Sequence, residues 1–269
     1  MDQITKLAVI GSGALSQAFC RQCMRSLPSD YIISSVMARH IEHAQALAQE
    51  LDCFATDNIE DLLEDNPDIV IEIAGIPAVK QYAFDVLDCG ADLVIVSVGA
   101  LADEKFLAKL RAQAHALKRR VYVVNGAIGG FDLMNTIALM GTRECSITSL
   151  FPTDTLLQRV PSIKDKLSTT EEEVIFSGSV KEAAQRFPQR LNVAVGVSLA
   201  ADCPNTTVTI RNAPQFKHNH HEIDLKGDLV RAHISVNCLP DPNNTQSSAM
   251  AAWSIIALLK NLADPIRYF

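Results

Sequence analysis

No run of lysine and arginine longer than Lys118-Arg119-Arg120 occurs in this 269-residue sequence, whose formal charge is −7. A chain without a longer basic stretch is not built to track a phosphate backbone, so nucleic acid is not expected as a partner. No apolar run approaches the length of a membrane span, so no membrane is expected either. The opening residues Met1-Asp2-Gln3-Ile4-Thr5-Lys6 lack the signal-peptide pattern, because acidic Asp2 precedes a very short apolar run. The seven cysteines are scattered and odd in number, and the C-x-x-C spacing of Cys20 and Cys23 has no second pair. That usage speaks against disulfides and zinc and for buried thiols in a reducing compartment, hence a cytoplasmic protein. Internal repeats and low-complexity tracts are absent as well.

What is there is a strand–turn–helix at the N-terminus. The apolar run Leu7-Ala8-Val9-Ile10 ends in Gly11-Ser12-Gly13, and Ala14-Leu15-Ser16-Gln17-Ala18-Phe19-Cys20 then reads as a helix. Gly11 permits the tight turn, and Gly13 has no side chain to hold a pyrophosphate away. The helix N-terminus offers free N–H groups to the phosphates. Ser16 stands at the third fingerprint position in place of glycine. Gly11, Ser12, Gly13, Ala14 and Leu15 are therefore candidate dinucleotide-binding residues.

Composition is that of a globular enzyme, with 48% hydrophobic and 20% charged residues. To about residue 125, short β-branched runs (Tyr31–Val36, Ile69–Ile73, Leu93–Val98, Val121–Val124) alternate with helix-like stretches (Ile41–Leu51, Val79–Leu87, Asp103–Leu117). This pattern predicts an α/β domain, a Rossmann-type parallel sheet covered on both faces, over residues 1–125. Asp57 is the expected cap of a helix over Ile59–Leu63, and Pro77 opens the next helix.

After the second strand comes Met37-Ala38-Arg39-His40, without the acidic residue that holds a ribose 2′-hydroxyl in NAD binders. Arg39 is placed to pair with a 2′-phosphate, or is a solvated loop charge, so the cofactor is NAD or NADP. Later strand exits carry small or polar residues: Glu72-Ile73-Ala74-Gly75, Ser97-Val98-Gly99 and Asn125-Gly126-Ala127-Ile128-Gly129-Gly130. Ligands sit at such exits in open α/β sheets, which adds Ala74, Gly75, Ser97, Val98 and Gly99 to the cofactor candidates.

Beyond about residue 140, strand-like segments follow one another: Ser146–Phe151, Val174–Ser177, Thr206–Arg211, His221–Leu225 and Leu229–Val236. Helices are expected over Val180–Arg186 and Asn192–Ala200, and a hairpin turn at Lys226-Gly227-Asp228. This predicts an α+β domain with a mostly antiparallel sheet over residues 126–245. Asp154–Glu173, polar and containing Pro161, reads as a loop or lid. A C-terminal helix within residues 246–269 is expected to pack back on the first domain.

The densest titratable cluster is His218-Asn219-His220-His221-Glu222-Ile223-Asp224-Leu225. On a strand, side chains alternate faces. His221, Ile223 and Leu225 then share the apolar face, while His220, Glu222 and Asp224 share a face that looks solvated. His221 is thus a proton carrier near neutral pH or a hydrogen-bonded core histidine. Alternation sends neighbouring histidines to opposite faces, so no metal site is expected. Glu72 and Asp132 are the next acid–base candidates.

In these segments the chain resembles the L-aspartate dehydrogenase family over nearly its whole length. Besides the glycine turn and the strand exits, the resemblance is carried by Gly126-Ala127-Ile128-Gly129-Gly130-Phe131-Asp132, Phe176-Ser177-Gly178-Ser179-Val180-Lys181-Glu182-Ala183-Ala184, Phe187-Pro188, Asn192-Val193-Ala194 and His221-Glu222-Ile223. It implies a cytoplasmic, NAD(P)-dependent amino-acid dehydrogenase connected to NAD biosynthesis, a homodimer whose second domain carries substrate binding and oligomerisation. His221 matches the family's catalytic histidine. The implied reaction oxidises L-aspartate to iminoaspartate, which hydrolyses to oxaloacetate and ammonia, or runs in reverse. Ala127, Ile128, Gly129 and Asn192 would orient substrate. The chain departs from the family at Gln158-Arg159-Val160-Pro161, at Pro188-Gln189-Arg190 and at Asn244-Thr245-Gln246-Ser247-Ser248, where family lysines are missing. Arg159 and Arg190 are the candidate substitutes as carboxylate partners. The alternatives are a dehydrogenase for another amino or imino acid, or a non-catalytic NAD(P)-binding sensor.

Overall fold

A computed structural model of the chain describes residues 4–159, 167–187, 191–241 and 244–268. It divides into two compact units, Met1–Val124 with Ala251–Phe269, and Asn125–Met250.

In the first unit β1 (Thr5–Ile10), α1 (Ala14–Ser26), β2 (Tyr31–Met37), α2 (Ile41–Leu51), β3 (Phe54–Thr56), α3 (Ile59–Leu63), β4 (Ile69–Glu72), α4 (Ile76–Asp88), β5 (Asp92–Ile95), α5 (Glu104–Leu117) and β6 (Val121–Val123) follow in order. The six strands pair in parallel in the order β3-β2-β1-β4-β5-β6. Strand order reverses between β1 and β4, and such a switch point opens a crevice at the carboxyl ends of those strands. The central strands β1 and β4 are buried on both faces, which is why they read as unbroken apolar runs.

Three details differ from the sequence reading. Asn58, not Asp57, caps α3, its side chain accepting the Glu60 N–H at 2.7 Å. The short strand β3 adds to the expected sheet, since three residues carry no periodicity. The run Leu93–Val98 leaves the sheet at Ile95 and tightens into a 3-10 turn over Val98–Ala102, because Ser97 is drawn to Glu72 by two hydrogen bonds.

The second unit contains α6 (Phe131–Gly141), β7 (Thr142–Phe151), α7 (Thr153–Arg159), β8 (Glu173–Ser179), α8 (Val180–Arg186), α9 (Asn192–Ala200), β9 (Thr207–Asn212), β10 (Asn219–Gly227), β11 (Arg231–Cys238), β12 (Pro240–Asp241) and β13 (Asn244–Ser248). Its main sheet has the order β11-β10-β7-β9-β8. Every pair in it is antiparallel except β7 with β9. Helices α6 and α9 pack against each other and on β7, with α6 also on β10. Their crossing is close because Gly196 faces the Phe131 ring, where a Cβ would come within 2.8 Å of a ring carbon.

Two expectations change here. The segment read as a loop or lid begins with the helix α7, whose Leu156 is buried, and residues 160–166, including Pro161, lie outside the described residues. The hairpin turn falls two residues later than expected. Gly227 still belongs to β10, and its N–H closes residues 228–230 by donating to the Val230 carbonyl at 2.8 Å.

The chain then re-enters the first unit as α10 (Ala249–Ala263). Ala252, Ile255, Ile256 and Leu259 of this helix join Leu7, Val9, Phe19, Ile33 and Ile71 in one core. The Tyr31 hydroxyl donates to the Leu259 carbonyl at 2.7 Å.

Candidate active site

At the switch point the β1 exit is built by two glycines with different duties. Gly11 has φ +120, and a Cβ there would lie 2.7 Å from the Ile73 carbonyl oxygen. Its N–H donates to Met37 and the next strand's Ile73 N–H donates to Ile10, so the turn is held from both sides. Gly13 has an ordinary φ of −68, and among the described residues nothing lies within 4 Å of where its Cβ would stand. It caps α1 with no side-chain hydrogen bond, and the first turn holds no acidic residue. Ser12, Gly13, Ala14 and Leu15 are all at least partly exposed. Open N–H groups at the positive end of a 13-residue helix fit a pyrophosphate.

Ser16 is fully buried, and its hydroxyl donates to the Gly11 carbonyl at 2.7 Å. The serine that breaks the glycine fingerprint therefore braces the loop from behind. Gln17 does the same for Ser12, donating to its carbonyl at 3.0 Å. Both bonds consume carbonyls and leave N–H groups for an anion.

Arg39 is exposed just past β2, and no hydrogen bond or ion pair ties it to another described residue. The nearest acidic residue on α2 is Glu42, whose carboxylate lies 4.0 Å from His40.

Glu72 ends β4 with its carboxylate buried. Oε1 accepts the N–H groups of Ala74 and Gly75 at 2.8 and 2.7 Å and the Ser97 hydroxyl at 2.8 Å. Oε2 accepts the Ser97 N–H at 3.0 Å. Burial pushes its pKa up, and the hydrogen bonds from Gly75, Ser97 and Ala74 oppose that shift. The predicted cofactor residues Ala74, Gly75 and Ser97 are thus gathered by one side chain. Val98 and Gly99 follow in the 3-10 turn, but the Val98 side chain is buried, so only its backbone is presented.

In the second unit His221 is 4% exposed and shares its face with buried Ile223 and Leu225, as alternation requires. Its Nδ1 lies 2.8 Å from Ser149 Oγ, and the Phe151 ring stands edge-on at 5.8 Å between centroids. The expected solvation of His220 is corrected: it is 7% exposed. The Phe216 ring stacks on it, Asn237 lies 2.7 Å from Nδ1, and Glu222 lies 3.0 Å from Nε2. Glu222 and Asp224 do reach the surface on that side.

Ala127, Ile128 and Gly129 lie in a turn that opens with a 3.3 Å bond from the Ile128 N–H to Asn125 and ends at Gly130. The Cys238 thiol donates to the Ala127 carbonyl at 2.8 Å, and the Ile128 side chain is fully buried. Gly130 has φ +83, with Ile234 Cδ1 2.7 Å from a Cβ position. Asn192 heads α9 and is exposed. Asp132 lies in the first turn of α6. Arg159 ends α7, its side chain outside what is described, and Arg190 lies outside the described residues. Ser149 and the bracing role of Ser16 were not singled out from the sequence. The strand pattern around residue 147 carries the only hint, since Ser149 falls on the buried face of β7.

Comparison with known proteins also divides the chain in two, with α10 counted in the C-terminal part. Residues 132–262 match the family model "Aspartate dehydrogenase, C-terminal". Residues 11–124 match "Homoserine dehydrogenase, NAD binding domain". The chain is 31% identical to the L-aspartate dehydrogenase of Methanocaldococcus jannaschii, over 97% of this chain and 98% of that one. It is 31% identical to L-aspartate dehydrogenase 2 of Bordetella pertussis, over 95% and 96%. Among solved structures, the aspartate dehydrogenase of Thermotoga maritima superposes with a TM-score of 0.77 at 24% identity, over 99% of this chain and 100% of that one. The myo-inositol dehydrogenase of Lactobacillus casei, solved with NAD(H) and myo-inositol, shares the fold at TM-score 0.61 and 10% identity, over 97% and 85%.

Proposed function

This chain belongs to the L-aspartate dehydrogenase family, and from that premise we propose that it exchanges hydride between L-aspartate and NAD or NADP. Oxidation gives iminoaspartate, which hydrolyses to oxaloacetate and ammonia. The dinucleotide supplies the redox chemistry when bound. The first unit binds it. N–H groups at the head of α1 take the pyrophosphate, and the loops held by Glu72 line the strand exits. Arg39 pairs with the 2′-phosphate of NADP.

The second unit supplies acid–base chemistry and substrate contacts. His221 exchanges a proton with the substrate amine and with the water that hydrolyses the imine. Asn192 and the Ala127–Gly129 turn orient the amino acid, with Arg159 and Arg190 as carboxylate partners. The observation that carries this reading is the buried, hydrogen-bonded His221 in a chain whose relatives match end to end. The protein works in the cytoplasm as a homodimer, its second unit serving both catalysis and assembly.

The test is NAD(P)H consumption with ammonia and a panel of 2-oxo acids. Oxaloacetate should be the best substrate. A preference for another 2-oxo acid would assign a different amino acid, and nucleotide binding without any turnover would make the protein a sensor.

A further inference from the structure

We infer that Ser149 is the positioning residue of the active-site histidine, holding its Nδ1 so that protons are exchanged at Nε2. The inference rests on His221 being the acid–base group. Ser149 and His221 are register partners across the antiparallel pair of β7 and β10. Cβ atoms of such partners stand close enough for direct side-chain contact. Both residues are buried, and Oγ and Nδ1 are 2.8 Å apart.

A histidine reacts at one nitrogen while the other is held by a fixed partner, which sets ring orientation and tautomer. For Nε2 to accept a proton, the neutral ring must carry its hydrogen on Nδ1. That Nδ1–H donates to Ser149 Oγ. When Nε2 takes the proton, the imidazolium keeps the same Nδ1–H bond, and when the proton leaves, the bond is unchanged. One hydroxyl therefore serves both states of the cycle without moving. Phe151, two residues along the same strand, meets the ring edge-on and limits its rotation. The hydroxyl is neutral, so it orients the ring without adding a charge that would favour the imidazolium.

Three variants and a tautomer measurement test this. Ser149→Ala should lower kcat about 10- to 100-fold, the scale known for removing the outer hydrogen bond of a metal-ligating histidine. The KM for aspartate and the Kd for NADP should change little. Ser149→Thr, which keeps the hydroxyl, should restore most of kcat. Ser149→Asp places a carboxylate beside Nδ1 and favours the imidazolium. The acid limb of the kcat profile for aspartate oxidation should then move up by about 1–3 pH units.

Nitrogen NMR of histidine-labelled protein, with the His221 signals identified by their loss in His221→Ala, should show the Nδ1–H tautomer in the intact protein and a shift toward Nε2–H in Ser149→Ala. An Nε2–H tautomer in the intact protein, or unchanged kcat in Ser149→Ala while His221→Ala is inactive, would overturn the role of Ser149 alone. Full activity in His221→Ala would overturn the acid–base reading itself.

Discussion

At Gly11 and Gly13, two glycines one residue apart are required for different reasons, and substitution separates them. Gly11 has the positive φ and the backbone approach to Ile73. Gly11→Ala should therefore lower the melting temperature and nucleotide affinity together. Gly13 has an ordinary φ and open space around it. Gly13→Val should leave the melting temperature nearly unchanged and abolish dinucleotide binding, because the side chain projects where the phosphates approach. Calorimetric titration with NADP alongside thermal melts checks both, and dinucleotide affinity retained in Gly13→Val would contradict this placement of the pyrophosphate. Arg39→Ala belongs to the same scale. It should weaken NADP by about 1–3 kcal/mol, the worth of a charge-assisted hydrogen bond, and leave NAD untouched. Equal losses would show that Arg39 does not read the phosphate.

The histidine pair shows what is legible at the residue scale. Strand alternation put His221 on the apolar face, because the period of two is a property of the backbone itself. It did not foresee the burial of His220, since the covering ring of Phe216 and the cross-strand Asn237 come from elsewhere in the chain. His220→Ala should therefore destabilise the second unit while kcat of the remaining folded protein stays near normal. His221→Ala should lower kcat about 10²–10⁴-fold with NADP affinity intact. Steady-state kinetics with denaturant melts of both variants distinguish the two roles, and a reversed pattern would reassign the catalytic histidine.

At the scale of elements, the strand exits are only as ordered as the groups that gather them. Glu72 takes N–H groups from the loop after β4 and both donors of Ser97 after β5. Glu72→Gln keeps the shape but replaces one oxygen with an amide that can only donate. A buried N–H of one loop then faces another donor, a loss of about 1–3 kcal/mol. Both loops should loosen, with weaker NADP binding and a lower melting temperature, read by titration and thermal melts. Unchanged affinity would show that these loops do not line the cofactor. The sequence announced Glu72 as a polar residue at a strand end and a reserve acid–base candidate. That it binds two loops depends on the adjacency of β4 and β5, which is tertiary. The parallel pairing of β7 with β9 was hidden for the same reason: it joins segments some sixty residues apart with no local signal. Periodic elements such as α2 and α5 were legible because burial on a fixed face writes itself into every turn, and β1 because burial on both faces leaves an unbroken apolar run.

At the scale of the molecule, the nucleotide-binding unit is not contiguous in sequence, since its core is closed by α10 from the far end of the chain. Ile255 and Leu259 are fully buried there, and the Tyr31 hydroxyl anchors the Leu259 carbonyl. Removing a buried leucine side chain loses its transfer free energy and leaves a cavity, together about 2–5 kcal/mol. Leu259→Ala should therefore destabilise the first unit although the residue is far in sequence from every cofactor residue. Trp253, the chain's single tryptophan, sits on the same helix and is 51% exposed, so its fluorescence reports on α10 directly. In a urea titration the tryptophan transition and the loss of NADP binding should shift together to lower urea in Leu259→Ala. NADP binds only the folded unit, so at a hundredfold excess over Kd it should restore about 2.7 kcal/mol by mass action. Nucleotide rescue of the tryptophan transition would show that α10 and the dinucleotide site fold as one cooperative unit. A tryptophan transition that ignores NADP, while binding survives past it, would show that α10 detaches without disturbing the site.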